Sequence, residues 1–256
     1  MKLTGIILTK NEEKNIADCL DCLHFCDEIL VIDDYSTDRT SEIVEQEIKK
    51  SSKIKIFKRK LDNDFSKQRE FGVEKSSNDW ILFVDADERI STDLANEIKE
   101  ALSSETDHGG YLIPRIDFMW GKQLMHGDSG KTKLLRLFDR KKGNLKGSVH
   151  EVWETKFLVD SLFYPIKHYP HQTISEFLRE INFYTDIREK ELFDKGVKTN
   201  LLLILFYTKG KFIQNYIFKL GFLDGMGGLI HALIMSFHSF LVRGKLYLLW
   251  QRKATS

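Results

Sequence analysis

The chain has 256 residues, of which 42% are hydrophobic and 12% aromatic, so it can bury a core and does not have the composition of a disordered chain. Charge is unevenly distributed: residues 195–256 hold nine Lys and Arg and one acidic residue, a net charge of +8, which leaves −7 for the residues before them. The basic residues of this last quarter alternate with long aliphatic runs, which argues against a nucleic-acid-binding groove.

The first residues, "MKLTGIILTKNEE", reach charged positions after a very short apolar run. This run is too short for the apolar core of a signal peptide and is better interpreted as a first strand. We therefore expect an intracellular protein.

The first hundred residues alternate between apolar runs and helical patterns. Asn11 is expected to cap the first helix, and the strands predicted in chain order are "LTGIILT", "EILVID", "KIKIF" and "WILFVD". The strands are too uniformly apolar to have a face in water. This alternation predicts an open α/β sheet of mostly parallel strands with helices on both faces.

Three cysteines, Cys19, Cys22 and Cys26, lie within eight residues. Their spacing would place them on one stripe of the first helix, where free cysteines commonly pack in the core. A metal cluster that includes His24 is the alternative, but no fourth ligand is evident in the sequence.

Polar clusters follow three of the predicted strands, at residues 9–12, 33–34 and 85–87. Ligands of open α/β sheets lie beyond the carboxyl ends of the strands. We therefore expect the three clusters to form one site.

The positions of the acids argue against a phosphoacceptor receiver domain. Here the acids follow the second and fourth strands, whereas receiver domains carry them after the first and third.

Asp85 and Asp87 are separated by one residue after the strand "WILFVD". Two such acids repel each other and lose hydration, which raises their pKa values unless a cation compensates their charge. Mg²⁺ and Mn²⁺ bind one or two carboxylates together with substrate phosphates. The alternative is structural, because Asp87 and Glu88 also suit the start of a helix after Ser91.

The alternation fails after about residue 105. Two further strands are predicted, separated by the loop "HGDSGK", and from Ser175 onward the pattern is helical. The longest uncharged run, residues 225–242, is marginal for a membrane span, so interfacial helices are expected. Lys and Arg beside these apolar faces favour an anionic membrane surface, and the alternatives are packing on the sheet or a homodimer.

The segments "IILTKNEEKNI", "VIDDYSTDRT", "FSKQREFGVEKSSNDWILFVDADE", "RLF" and "SVHEVW" together resemble the family 2 inverting glycosyltransferases, which have the GT-A fold. Within that family the chain is most similar to bacterial lipopolysaccharide inner-core β-1,4-glucosyltransferases. The resemblance implies a nucleotide-sugar-binding half over residues 1–105, an acceptor, metal and base region over 106–172, and a C-terminal helical region over 173–256.

The resemblance also implies roles for the donor-side residues. Uridine and ribose would be held by Thr9, Asn11, Glu12 and Asp34. Asp85 would contact the ribose or the donor sugar, and Asp87 would bind Mn²⁺ or Mg²⁺ at the diphosphate. The residues Lys67, Gln68 and Arg69 would face the nucleotide or its phosphates. A solvated helix face is the alternative for all three, and it suits Lys67 best.

An inverting displacement needs a base for the acceptor hydroxyl, and the resemblance favours Glu151 in "SVHEVW". His150 would bind the metal or orient the donor, and Asp117 and Asp128 are rival bases. His126 and Arg136 are expected on the acceptor side, with a structural ion pair as the alternative for Arg136. The loop between them differs from the aromatic and Pro-Asp that relatives carry.

These inferences predict transfer of a hexose, glucose from UDP-glucose, to a heptose of a lipid-linked lipopolysaccharide or lipooligosaccharide inner core. The expected location is the cytoplasmic face of the inner membrane. The alternatives are a family 2 transferase acting on a polyprenyl-linked glycan or a peptide, and a non-catalytic scaffold that binds a nucleotide.

Overall fold

The computed structural model describes residues 1–62, 64–104, 107–129, 132–146 and 152–255. The chain divides into two compact units. The first consists of Met1–Arg115 and Thr132–His168, and the second of Ile116–Lys131 and Tyr169–Ser256. Each unit is described separately below.

The first unit is built on a mixed sheet in the order β3-β2-β1-β4-β8-β6-β12-β5, with β11 also pairing with β6. The strands β3, β2, β1 and β4 are parallel, and β8 is antiparallel to both β4 and β6. In chain order the strands are β1 Leu3–Thr9, β2 Glu28–Asp33, β3 Ile54–Lys58, β4 Trp80–Asp85, β5 Glu88–Arg89, β6 His108–Met119, β7 Lys122–Leu124, β8 Thr132–Asp139, β9 Gly143–Lys146, β10 Val152–Thr155, β11 Leu158–Ser161 and β12 Ile166–His168. The end of β6 and all of β7 belong to the second unit, and β9 and β10 form a separate two-stranded sheet.

Helices cover both faces of the parallel strands, as predicted. The helices of this unit are α1 Ile16–Asp21, α2 Thr40–Lys50, α3 Phe65–Lys75 and α4 Thr92–Ser103. On one face, Ile7 and Val31 pack with Leu20 of α1, Val44 of α2 and Leu94 of α4. The other face carries Ile6, Leu30 and Ile32, with Phe71 and Val73 of α3 packed against them. Burial of alternate side chains on opposite faces explains why the strands are apolar throughout.

The first helix differs from the sequence prediction. Asn11 does not cap it, because α1 begins at Ile16, and Asn11 has a positive φ of 57°. The cysteines also do not share one helical stripe, since α1 ends at Asp21 and Cys26 lies beyond it. Core packing is nevertheless confirmed: Cys19 and Cys26 are fully buried in the main core cluster, with Cys22 packed against it.

The second unit is mostly helical, with α5 at Ile174–Asp194, α6 at Leu201–Ile213 and α7 at Gly225–Thr255. A π-helical turn, Gln214–Phe218, and a 3₁₀ turn, Gly221–Asp224, connect α6 to α7. A capping box at Thr173 and Glu176 begins α5. Within the described residues, Gly221–Lys253 is the one helical segment whose length and composition would suffice for a membrane span, and a third of its most apolar window is buried.

Candidate functional site

The carboxyl ends of β1, β2 and β4 bring the three predicted polar clusters together. Thr9 pairs with Asp33 in the sheet, and Leu8 pairs with Asp85. The backbone N–H of Asp34 donates to the carbonyl oxygen of Thr9 at 2.9 Å. The prediction that residues distant in sequence meet at one rim of the sheet is therefore confirmed for these strands.

The two acids after β2 have different environments. Asp33 is fully buried and accepts hydrogen bonds from the Ser36 backbone N–H and from the Ser36 and Ser41 hydroxyls, so it shapes the turn. Asp34 accepts from Lys10 Nζ at 2.6 Å and from the Leu61 backbone N–H at 2.9 Å. Asp34 is thus held at the rim by groups from the loop after β1 and from the segment after β3.

Asn11 and Glu12 fix the loop after β1. The Asn11 backbone N–H donates to Ser36 Oγ at 2.9 Å, and Asn11 Oδ1 accepts from the Thr37 backbone N–H at 2.7 Å. The Glu12 carboxylate accepts from Asn15 Nδ2 at 2.7 Å. The two Asn11 bonds connect the loops that follow β1 and β2, and the Glu12 bond lies within the first of them.

Thr9 carries a buried hydroxyl at the same rim. The residue is 5% exposed, and its Oγ1 has no hydrogen-bond partner among the described residues. A buried hydroxyl without a partner costs free energy, so the native state retains it at some expense of stability. Such a group is available to a ligand that reaches the end of β1.

Asp85, whose side chain is a third exposed, belongs to an ion-pair network with two buried residues, Arg136 and Glu88. Arg136 Nη2 of β8 lies 2.5 Å from Asp85 Oδ2 and 3.0 Å from Glu88 Oε1. Glu88, which is fully buried, also accepts from the Asp85 backbone N–H at 2.9 Å. The ion-pair alternative for Arg136 is therefore what the structure contains, while its acceptor-side role stays a prediction.

This network determines the charge state of its members. Burial alone would raise the pKa of the Asp85 carboxyl, but Arg136 and Arg69 outweigh burial and hold that pKa well below its usual range. Burial raises the pKa of Glu88, and Arg136 offsets only part of this effect. Asp85 is thus ionised and compensated by guanidinium groups, so its charge does not depend on a bound cation.

The segment "FSKQRE" forms the start of α3, and its three predicted site residues have different surroundings. Arg69 is half-buried, lies 3.7 Å from Asp85 Oδ1 and sits over the Phe83 ring. Gln68 is buried and exchanges two hydrogen bonds with Arg59. Lys67 has a side chain 67% exposed and pairs with Asp64 at 3.2 Å, as expected for a solvated helix face.

Asp87 follows the network and points toward a histidine. Its Oδ2 lies 3.2 Å from Nε2 of His168, at the end of β12, which pairs antiparallel with β5. Among the residues that the structure describes, no group of three or more His, Cys, Asp or Glu side chains could hold a metal ion. Metal binding at Asp87 therefore remains a prediction.

The predicted base Glu151 and its neighbour His150 lie outside the described residues. Trp153, after them, is 7% exposed and stacks on Phe138 with 4.1 Å between ring centroids. The roles of Glu151 and His150 stay predictions.

The second unit contains the remaining acceptor-side candidate and the rival bases. His126 Nδ1 lies 2.8 Å from Asp224 Oδ1. Burial raises the pKa of Asp128, but hydrogen bonds from Lys211 and Lys219 outweigh it and bring the pKa to about 2. Asp128 is therefore a weak base. Asp117 is buried, with 7% of its surface exposed.

Sequence reasoning missed several residues at the rim. Lys10, Arg59, Glu88, Arg115 and His168 contact predicted site residues or one another, with Arg115 Nη1 3.9 Å from Glu88 Oε1. A partial signal existed, because an acid that ends an apolar strand needs a compensating cation nearby. Nothing in the sequence identified which basic side chain would compensate which acid.

A parallel sheet with an acidic rim, extended by antiparallel strands and followed by a helical region, confirms the predicted GT-A class of fold. The family model described as glycosyl transferase family 2 matches residues 4–161. The chain belongs to glycosyl transferase family 2.

Several relatives align over nearly the whole chain. An uncharacterized glycosyltransferase of Rickettsia typhi is 27% identical, with 96% of this chain and 86% of the relative covered. The lipopolysaccharide core biosynthesis glycosyltransferase LpsC of Rhizobium meliloti is 24% identical, with 96% and 92% covered. Among solved structures, S. aureus TarS 1-349 in complex with UDP-GlcNAc aligns with 15% identity and a TM-score of 0.47, covering 99% of this chain and 92% of that one.

Proposed function

We propose that the protein is an inverting glycosyltransferase that moves a hexose, glucose from UDP-glucose, onto a heptose of a lipopolysaccharide or lipooligosaccharide inner core. The observation that carries this proposal is the meeting of Thr9, Asp34 and Asp85 at one rim of the sheet. Polar groups at the carboxyl ends of parallel strands are where an α/β sheet binds a nucleotide. Family membership supports the transfer of a sugar.

The donor half of the site follows from the rim. The Asp34 carboxylate accepts from ribose hydroxyls or a base N–H, the Thr9 hydroxyl gains a partner, and the Asn11 and Glu12 loop borders the nucleoside. Asp85 is ionised and accepts from hydroxyl groups of the ribose or the donor sugar. Arg69 places a guanidinium at the phosphates, as arginine commonly does.

Asp87 and His168 would hold the cation. Their carboxylate and imidazole lie 3.2 Å apart. The carboxylate would suit Mn²⁺ or Mg²⁺, the imidazole would add a ligand for Mn²⁺, and a diphosphate and water would supply the others. Bound there, the ion supplies Lewis-acid stabilisation of the charge on the departing diphosphate. His150 is a further candidate ligand.

Glu151 remains the proposed base that takes the proton from the acceptor hydroxyl. The low pKa of Asp128 argues against the rival carboxylate in the loop after His126. Since inversion requires one displacement, the base acts from the side of the acceptor and forms no bond to the sugar.

The acceptor proposal is supported by the relative LpsC, whose name assigns it to lipopolysaccharide core biosynthesis. The basic, apolar C-terminal region supports a peripheral location at the anionic cytoplasmic face of the inner membrane, where such an acceptor is held. His126 is proposed to act on the acceptor side.

The test is UDP release from UDP-glucose, with Mn²⁺ and a core oligosaccharide that ends in heptose. Asp87→Asn should lower the rate at least about a hundredfold, because the cation loses its carboxylate ligand. Asp93→Asn, an exposed acid in the first turn of α4, should keep it. If UDP-glucose raises the melting temperature of the wild-type protein but no acceptor yields UDP, the non-catalytic scaffold is correct.

A further inference from the structure

The connection between α6 and α7 exposes an unusual amount of apolar surface. We call residues 214–226 the hairpin tip. Between 45% and 78% of the surface of six apolar residues in it is exposed, and these are Ile217, Phe218, Leu220, Phe222, Leu223 and Met226. Large exposed apolar surfaces commonly mark interaction sites in proteins.

The charged groups of the hairpin tip are paired inside the second unit. Lys219 Nζ lies 2.6 Å from Asp128, and Asp224 lies 2.8 Å from His126. The backbone of the tip is also bonded, because Lys219 N–H donates to the Gln214 carbonyl oxygen and Leu223 N–H to that of Leu220. The tip can therefore enter an apolar phase without leaving these charges and backbone groups unsatisfied.

The first two turns of α6 also expose apolar side chains. Among residues 201–207, "LLLILFY", Ile204 is the buried one, and the other six side chains are exposed. Leu202 is 76% and Phe206 is 70% exposed. A helix that packs on a water-soluble core buries its apolar stripe, so this helix is oriented for an apolar surrounding.

The arrangement of α7 argues against a membrane span. Along its second half α7 packs against α5, where Val242 and Leu246 contact Leu192 and Lys245 Nζ lies 2.5 Å from Asp186 Oδ1. Nine of the 21 residues of α5 are charged. A helix of that composition does not enter the hydrocarbon layer, so α7 cannot cross it while α5 lies alongside.

We propose that α6 and the hairpin tip lie in the plane of an anionic bilayer surface, and that α7 remains outside the hydrocarbon core. The surrounding charge supports a lipid surface as the occupant, because residues 195–256 carry nine Lys and Arg and one acid. An exposed Lys209 lies within α6 itself. The proposal names the surface that makes the membrane contact proposed above and rests on that contact.

Co-sedimentation of the full chain with vesicles tests the surface. Wild-type protein should sediment with phosphatidylglycerol-containing vesicles and not with pure phosphatidylcholine. Phe218→Glu and Leu202→Glu should each weaken binding by about tenfold or more, because each places a charge in the buried face. The matched control is Phe163→Glu, since Phe163 is 80% exposed and belongs to the first unit.

Depth of insertion separates the surface arrangement from a span. Tryptophan at position 218 (F218W) should be quenched by lipids brominated near the headgroup, and tryptophan at position 240 (F240W) should be quenched little by any of them. Strongest quenching at position 240 by lipids brominated at the chain end would overturn the proposal, since a spanning α7 places its middle there.

Two further results would also overturn it. One is equal vesicle binding by Phe218→Glu and Phe163→Glu. The other is a wild-type dimer in sedimentation velocity that does not bind vesicles and that Phe218→Glu converts to a monomer, because the apolar surface would then be a dimer interface. Vesicle binding needs no donor or acceptor, so it fails or succeeds independently of the transferase assay.

Discussion

The Arg136 guanidinium lies 2.5 Å from the Asp85 carboxylate, and the sequence separates the two residues by 51 positions. The same guanidinium contacts Glu88, which in turn accepts from the Asp85 backbone N–H. One buried cation of β8 therefore fixes both the side chain and the main chain at the end of β4. Asp85 and Glu88 are thus held in place before any ligand arrives.

Replacing Arg136 with Met should reduce the free energy of unfolding by about 3 kcal/mol, because the buried Glu88 carboxylate and the partly exposed Asp85 carboxylate lose their closest cation. Arg69 and Arg115 lie farther from these carboxylates, at 3.7 and 3.9 Å, and compensate only part of the loss. Urea unfolding followed by circular dichroism measures the change.

The control is Arg39→Met, which removes an exposed ion pair with Glu42 and should leave the unfolding midpoint unchanged. Equal effects of the two substitutions would contradict a special role for the buried arginine.

Two threonines of β1 give a matched pair for the donor site. Thr4 Oγ1 donates to Glu28 at 2.9 Å, so Thr4→Val should cost about 1–3 kcal/mol of stability. Thr9 Oγ1 has no described partner, so Thr9→Val should be neutral or stabilise the protein by about 1 kcal/mol. The same variant should reduce the rise in melting temperature caused by UDP-glucose, because the proposed ligand contact is lost.

The interpretation of Thr9 fails if Thr9→Val destabilises the protein as much as Thr4→Val does. It also fails if the UDP-glucose shift of Thr9→Val equals that of the wild type.

The sequence predicted the sheet because its signal is local. Each strand from β1 to β4 is a short apolar run, and parallel pairing requires that their carboxyl ends share one rim. The sequence alone therefore predicted that one rim of the sheet carries Thr9, Asp34 and Asp85. The sequence did not predict where α1 begins. Asn11, the expected cap, adopts a positive φ and bonds to Ser36 and Thr37 in the loop after β2.

The sequence did not predict the partners of the site residues, because these contacts join residues that are distant in sequence. Arg136 and His168 reach Asp85 and Asp87 from strands that follow them by 51 and 81 positions, and no local pattern specifies such pairs. The sequence correctly predicted that Gln68 lies in a helix. It did not predict the hydrogen bonds of Gln68 to Arg59, because they depend on the position of the segment that follows β3. Side-chain roles thus depended on tertiary contacts that the pattern of apolar residues does not encode.

Two helical glycines should respond in opposite directions to alanine. A Cβ at Gly72 of α3 would lie 2.8 Å from Ile6 Cγ2, so Gly72→Ala should destabilise the protein by about 1–3 kcal/mol through overpacking against β1. A Cβ at Gly210 of α6 would meet nothing within 4 Å, so Gly210→Ala should stabilise by about 0.5–1 kcal/mol. Thermal unfolding measures both, and a neutral Gly72→Ala would contradict the close packing of α3 on β1.

The buried histidine of α7 should make stability depend on pH. His231 is 5% exposed, with Nε2 3.1 Å from Ser129 Oγ. Burial lowers its pKa from the usual 6.5; Asp128 and Asp117 oppose this effect, and His171 and Lys211 add to it.

The lowered pKa of His231 sets the pH range of the effect. Above about pH 6.5 this histidine is neutral in both the folded and the unfolded state, so no pH dependence of stability is expected there. Below it the unfolded chain takes up a proton that the native state does not, so stability falls with decreasing pH by up to about 1.4 kcal/mol per unit.

Urea unfolding between pH 7.5 and 5.5 tests this dependence. His231→Gln should reduce the loss of stability on acidification, because its side chain does not titrate. Ser129→Ala should lower stability at every pH and keep the slope, since it removes the hydrogen bond but leaves the imidazole buried. Burial also lowers the pKa of His238, so a smaller slope should remain in His231→Gln. If His231→Gln keeps the full wild-type slope, the proton uptake belongs to another group, and the burial of His231 does not control the acid sensitivity of the helical unit.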